Sequence, residues 1–236
     1  MSTRAVTGSL AAICLPRQLF PVTTRGRLMS GIDKRPVDGP IQVLTHGIWG
    51  DVQGDREHHG GLFKAVYAFA REQREALARS TGRQFPDGFF GENLVTAGID
   101  TDGAEIGEQW RIGSTILEAT CQRTPCGTLA ERVGDPRFGR RFTEHGHPGT
   151  YLRVLQEGEI SAGDAIEVIG RPGHGVCIRD AFRGLNAEQA AAVLDWSATS
   201  GTVLYSSLVN AAVRALEKSG SVRSHPAALT SDGRGS

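Results

Sequence analysis

Lysine is scarce in this 236-residue chain. Lys34, Lys64 and Lys218 are the whole complement, and arginine supplies the rest of the 26 basic residues. Twenty-six acidic residues balance them, so the formal net charge is zero, which argues against a histone-like or otherwise strongly basic partner for nucleic-acid polymer. Cysteine is also sparse: Cys14, Cys121, Cys126 and Cys177 include no CxxC pair, which excludes a disulfide framework, a zinc ribbon and a thioredoxin-like motif. No apolar run approaches the ~20 residues needed to cross a bilayer. The short N-terminal patch Leu10 to Leu15 is cut by Pro16 and does not read as a secretory leader. No membrane association is expected; the expected setting is a reducing cytoplasm, with the thiols unpaired. Motifs for common nucleotide and hydrolase chemistry are missing too: no GxGxxG after a strand, no P-loop, no GxSxG elbow and no HExxH.

Glycine, by contrast, is abundant, at 31 of 236 residues. Many turns and close approaches are expected, and the segments between them read as short strands. Ile41 to Thr45 is one. Gln109 to Ile112 and Thr115 to Cys121 form a hairpin about Gly113-Ser114. Thr150 to Gln156 and Glu159-Ile160 read as a second hairpin about Glu157-Gly158, with Ala165 to Ile169 next in line. Residues 63–80 read as a helix, because Phe63, Val66, Tyr67, Ala70 and Leu77 fall on one face. After Arg171-Pro172-Gly173 the pattern turns helical over 176–183, 187–196 and 202–217, with Asn186 as an N-cap. The expected architecture is a mainly β, barrel-like domain over 1–171, a small three-helix segment over 172–218, and a disordered Ser/Gly/Arg-rich tail over 219–236.

Three segments carry residues suited to chemistry. His58-His59-Gly60-Gly61 precedes Lys64, so backbone N–H groups and an ammonium can meet an anion there; an ordinary loop-to-helix turn is the plain alternative. Phe89-Phe90-Gly91-Glu92-Asn93-Leu94 sets an amide between apolar anchors. Asn93 offers donor and acceptor to a planar heterocycle, or simply caps a turn. In Gln122-Arg123-Thr124-Pro125-Cys126-Gly127 the cysteine comes after a strand end and opens a short helical pattern beside Arg123. Both features favour thiolate, a nucleophile and a ligand for soft metals, although many single cysteines are inert core residues. Cys14, Cys121 and Cys177 fit the inert description better. His145 and His147 have a metal-like spacing, but Gly146 and Pro148 suggest a surface loop.

In this order, GDVQGD, HHGGLFKAVY, FGENL, the Gly107/Gly113 hairpin, RTPC and GTYLRVLQEGEISAGDAIEV resemble the MOSC family, the domain found at the C-terminus of molybdenum-cofactor sulfurases. The resemblance runs from about Val43 to Ile169 and is nearest to the free-standing bacterial branch that includes the 6-hydroxylaminopurine resistance proteins, whose small C-terminal three-helix module residues 176–217 would match. It implies a β-barrel with a few helices and a bound molybdenum cofactor (molybdopterin). It also implies Cys126 as metal ligand and catalytic residue, with His59, Gly60, Gly61, Lys64, Asn93 and Arg123 lining the cofactor pocket.

The implied activity is reduction of N-hydroxylated small molecules, with electrons from an external donor protein, since the 236 residues show no ferredoxin, flavin or haem domain. The chain also shows no pyridoxal-phosphate-dependent sulfurase domain. Two other functions stay open: sulfur transfer or carbon–sulfur cleavage through Cys126, and non-catalytic carriage of the cofactor.

Overall fold

The structure, a computed structural model, describes residues 7–22, 28–52 and 61–220. His59, Gly60 and nearly all of the predicted disordered tail lie outside the described residues.

The first strands are β1 (Thr7–Pro16), β2 (Phe20–Val22), β3 (Leu28–Ser30), β4 (Lys34–Val37), β5 (Ile41–Leu44) and β6 (Gly47–Ile48). A single 3-10 turn at Leu62–Lys64 then leads into β7 (Val66–Ala70) and helix α1 (Arg71–Thr81). After β8 (Leu94–Ala97) come the hairpin β9 (Gln109–Ile112) and β10 (Thr115–Gln122), and helices α2 (Gly127–Val133) and α3 (Phe138–His145). Strands β11 (Thr150–Gln156), β12 (Gly158–Ile160) and β13 (Ala165–Gly170) come next. The described chain ends with α4 (Ile178–Arg183), α5 (Ala187–Ser200) and α6 (Ser206–Lys218).

Seven strands in the order β13-β9-β10-β11-β7-β8-β1 close on themselves through the β13–β1 pairing, and β4 continues from β1. All these neighbours are antiparallel except β7 and β8, so the barrel is mixed. Closure leaves no long unpaired edge around the barrel. Its interior holds Leu10, Ile13, Val66, Ala68, Leu94, Trp110, Ile112, Leu117, Leu152 and Ile166. The same apolar cluster continues into Val193, Leu204, Leu208 and Ala212 of the C-terminal three-helix segment. The helices are therefore seated on the barrel's own core. At one point the contact is backbone-close: a Cβ on Gly107 would stand 2.4 Å from the Trp196 ring, so only glycine lets α5 approach there. Asn186 caps α5 as expected, accepting from Gln189 N.

Two readings of the sequence are corrected. The helix expected over 63–80 begins only at Arg71; residues 66–70 are a strand. Val66 and Ala68 face the barrel interior, whereas Tyr67 and Phe69 pack outward against Leu77, Phe90, Phe138 and Phe142. A strand buried on both faces shows a continuous apolar run, and that run also fits one face of a helix. The second expected hairpin does not form. β12 pairs with β5, not with β11, and the Glu157 carboxylate accepts from Thr45 N at 2.7 Å beside that pairing.

Candidate functional site

Strand β10 carries the candidate site. Its register against β11 runs from Ala119↔Leu152 to Cys121↔Tyr151, so Thr120 is an extra residue, a β-bulge that turns the strand end. The Thr120 hydroxyl donates to the Phe63 carbonyl at 2.5 Å and lies 3.0 Å from the Tyr151 carbonyl. The segment holding Lys64 is thereby fastened to the end of β10. Gly61 opens that segment at φ 87°, with no atom of the described residues within 4 Å of where a Cβ would stand, so the conformation itself is what asks for glycine. After Gly61 the chain makes a three-residue 3-10 turn and then enters strand β7, so Lys64 is not one turn into a long helix.

Beyond β10, Cys126 is the N-cap of α2, half-buried against the aromatic cluster outside β7. Seven residues of helix supply little dipole; the nearer positive charge is Arg123. Arg123 is 5% exposed, and its guanidinium lies over the rings of Tyr67, at 5.4 Å, and Phe142, at 5.7 Å. Burial alone would make it a weaker base. Electrostatic coupling to the acidic groups of Tyr67, Cys126 and Tyr151 opposes burial and holds its pKa above the usual arginine value. Arg123 Nη1 is buried and has no hydrogen-bond partner among the described residues. Tyr151 is hydrogen-bonded to Arg123. Burial pushes its pKa up to about 12, against the lowering effect of that cation, so the phenol keeps its proton at neutral pH.

Lys64 also lies against Tyr151. Its Nζ is 5.6 Å from the Tyr151 centroid and 4.6 Å from that of Tyr205, which belongs to the C-terminal helical segment. Cys121 is fully buried, and burial pushes its thiol up to about 11, with Lys64 as the main opposing charge. The structure thus gathers Lys64, Arg123 and Cys126 around Tyr151.

Asn93 is placed differently. It is 2% exposed; its Oδ1 accepts from Tyr67 N at 3.1 Å and its Nδ2 donates to Asp51 Oδ2 at 2.9 Å. Asp51 in turn pairs with Lys34 at 2.8 Å, both side chains being buried. The amide therefore ties the start of β7 to the segment before the undescribed residues. The neighbouring Glu92 is used locally: its carboxylate accepts from Gly88 N and Phe90 N, each at 2.9 Å, and burial pushes its pKa up.

The His145–His147 segment is not the surface loop its glycine and proline suggest. His147 Nδ1 lies 2.8 Å from Asp102 Oδ2, His145 Nε2 lies 3.1 Å from the Gln73 carbonyl, and both rings are partly buried. Asp102, fully buried, also accepts from Gly149 N at 2.7 Å, and the Tyr67 hydroxyl donates to the Pro148 carbonyl at 2.8 Å. This loop therefore buttresses the ring beneath Arg123. Sequence reasoning missed Tyr67, Tyr151, Tyr205 and Asp102. The chain has only three tyrosines, and that all three surround two cations was the one signal that could have marked them.

Comparison with known proteins agrees with this architecture. Residues 55–167 match the MOSC domain. YflK of Bacillus subtilis (strain 168) is 31% identical over 157 residues, covering 66% of this chain and 71% of that protein. A protein of Gibberella moniliformis (strain M3125 / FGSC 7600) called Reductase is 33% identical over 152 residues, 62% of this chain but only 27% of that longer protein. In fold, the crystal structure of YiiM from Geobacillus stearothermophilus superposes with a TM-score of 0.70 at 24% identity, covering 89% of this chain and 99% of that one. With its closed mixed barrel, its helical C-terminal segment and the match over 55–167, the chain belongs to the MOSC domain family.

Proposed function

We propose that this MOSC protein holds a molybdenum cofactor at the cluster of Cys126, Arg123 and Lys64. It would reduce N-hydroxylated small molecules, such as hydroxylaminopurines or amidoximes, with electrons from a separate donor protein. In this reading it stands with the branch that includes the 6-hydroxylaminopurine resistance proteins. The observation that carries the reading is Arg123, 5% exposed beside Cys126, with an Nη1 that has no hydrogen-bond partner among the described residues. A buried cation with an unmet donor is costly unless an anion reaches it. A phosphorylated pterin carrying a metal dithiolene is such an anion.

The donor set suits that group. Cys126 Sγ offers the thiolate that a soft metal accepts. Lys64 and Arg123 supply the positive charge that orients a phosphate. Cys126 would be the protein's ligand to the metal, and the pterin dithiolene would supply further sulfur ligands. The bound cofactor supplies a two-electron centre able to take up the oxygen of an N–OH group. The protein's own part is to hold and to exclude. Arg123 donates to the Tyr151 hydroxyl, which keeps its proton and can present it to a ligand. The aromatic cluster around Tyr67, Phe90, Phe138 and Phe142 keeps water from the guanidinium. Asn93, with its amide engaged by Tyr67 and Asp51, holds the start of β7, whose Tyr67 ring lies beneath Arg123.

The Cys126–Arg123 neighbourhood also favours a second reading, sulfur transfer or carbon–sulfur cleavage by a Cys126 thiolate that needs no metal. Turnover separates the two. Protein made in a host that synthesises the cofactor is supplied with a reduced viologen dye and 6-hydroxylaminopurine. Dye oxidation matched by formation of the amine supports the reductase. Cofactor-loaded protein that leaves the dye reduced overturns it in favour of a carrier, and a persulfide on Cys126 without molybdenum overturns it in favour of sulfur chemistry.

A further inference from the structure

We infer that His145 and His147 form an acid-sensitive clasp on α3, the helix whose Phe142 ring lies against Arg123. The clasp holds α3 down while His145 is neutral, and a second proton on that ring opens it. His145 ends α3, and its Nε2 lies 3.1 Å from the Gln73 carbonyl of α1. A carbonyl only accepts, so Nε2 carries the proton of the neutral ring and Nδ1 is left unprotonated. Two residues on, His147 Nδ1 meets the buried Asp102 carboxylate at 2.8 Å, and the two imidazole centroids are 4.9 Å apart. Phe142 is buried one turn before His145 on the same helix, with its ring 5.7 Å from the Arg123 guanidinium.

The chain after α3 is pinned. Gly149 has φ 69°, and a Cβ there would stand 2.6 Å from the Ala68 carbonyl oxygen, so the segment is pressed onto β7. Asp102 fixes it as well, accepting from Gly149 N at 2.7 Å while it holds His147. That carboxylate is thus already shared when His145 takes up a proton. A charged His145 would sit half-buried, 4.9 Å from the His147 ring, in a turn where the Arg183 guanidinium of α4 lies 3.7 Å from the place of a Gly146 Cβ. The other polar and charged groups around the turn are engaged. Arg179 of α4 forks onto Asp100 at 2.9 and 2.8 Å, Glu72 of α1 accepts from Gly98 N at 2.8 Å, and Glu144 pairs with Arg140 at 2.7 Å. On β7 the Tyr67 hydroxyl donates to the Pro148 carbonyl. Burial and His147 lower the His145 pKa, against the bond to Gln73. The folded state therefore favours the neutral ring; that contribution is complete above the ordinary value of 6.5 and is lost as pH falls through the lowered one. In acid α3 loosens first, and with it the apolar cover of Arg123.

Hydrogen exchange on the whole, cofactor-free chain tests this, with exchange times scaled for the intrinsic pH dependence of amides. Peptides over residues 138–149 should exchange about three- to tenfold faster at about pH 5.5 than at about pH 8, tenfold being the ceiling for one proton taken up at an ordinary imidazole. Peptides over β9 and β10 should keep their protection. His145→Gln, whose amide can still donate to the Gln73 carbonyl but does not titrate, should remove the acid response. If that variant folds poorly, the parent decides: its His145 ring signal in NMR must titrate over the same pH range in which exchange rises. Scaled exchange of residues 138–149 that is equal at both pH values overturns the clasp. So does an acid response that His145→Gln retains, a ring titration out of step with exchange, or a loss of protection spread evenly over the barrel.

Discussion

Replacing Asn93 with Ala separates a structural amide from one that contacts a ligand. The side chain is 2% exposed and makes two hydrogen bonds inside the protein, accepting from Tyr67 N and donating to Asp51 Oδ2. Alanine leaves the Tyr67 N–H without an acceptor, which costs about 1–3 kcal/mol, and removes a charge-assisted bond worth about 1.5–3 kcal/mol. Asp51 keeps Lys34 at 2.8 Å, so part of the second loss is recovered. The expected total is about 2–4 kcal/mol. For a chain of this length that lowers the melting temperature by roughly 5–15 °C, and urea unfolding of cofactor-free protein monitored by circular dichroism measures it directly. Asn93→Asp is the control. It keeps an acceptor for Tyr67 N but sets a second carboxylate against Asp51, whose side chain is only 6% exposed. That repulsion raises the folded pKa of the new carboxyl. Its stability is then present below the unfolded value of about 4 and is lost as pH rises through the folded value, so the variant should be relatively more stable at pH 5 than at pH 8. An Asn93→Ala protein within about 0.5 kcal/mol of the parent would refute the structural role and return the amide to the ligand.

The remaining predictions concern the cysteines and Lys64. At pH 8 a thiol reagent should modify Cys126 well before Cys121 or Cys14, whose thiols burial pushes up to about 11 and about 12; equal rates in the folded protein would contradict the assignment. Because the fold raises the Cys121 pKa from 9.0 to about 11, the favourable contribution of its protonated form is complete below pH 9 and is lost as pH rises towards 11. Cys121→Ala should therefore lose less stability than the parent between about pH 8 and 10.5, by about 1–2 kcal/mol, read from urea midpoints. Lys64→Ala should raise the Kd for inorganic phosphate about tenfold or more while moving the melting temperature by only a few degrees.

Legibility in the sequence depends on how each element is buried. The hairpin of β9 and β10 alternates and turns at Gly113-Ser114, and the C-terminal helices carry one apolar face and an Asn186 cap, so local pattern is sufficient for both. β7 reads as helix because both its faces are covered, one by the barrel interior and one by phenylalanines brought from residues 85–142. No local period records that. β12 is hard to pair from sequence for a similar reason: its partner β5 lies more than a hundred residues earlier, and two-residue turns are not the only way a short strand finds an edge. The placement of Cys126 at a helix start near Arg123 is legible because both are sequence-local features. The tyrosine faces that hold Lys64 and Arg123 are not, since Tyr67 and Tyr151 meet only through the pairing of β7 with β11 and Tyr205 arrives with the C-terminal helices. Asn93 draws attention as an amide between apolar anchors, and folding turns that amide inward to Tyr67 and Asp51.

The proposed chemistry turns on one sulfur. Molybdenum and pterin should be quantified in the parent protein and in Cys126→Ser, both purified from a host that makes the cofactor, with circular dichroism confirming that both are folded. Near-stoichiometric molybdenum is expected in the parent and little in the serine variant, because a hydroxyl is a poorer ligand for this metal than a thiolate. A parent protein without molybdenum, or a serine variant that retains as much as the parent, would contradict the assignment of Cys126 as the metal's protein ligand.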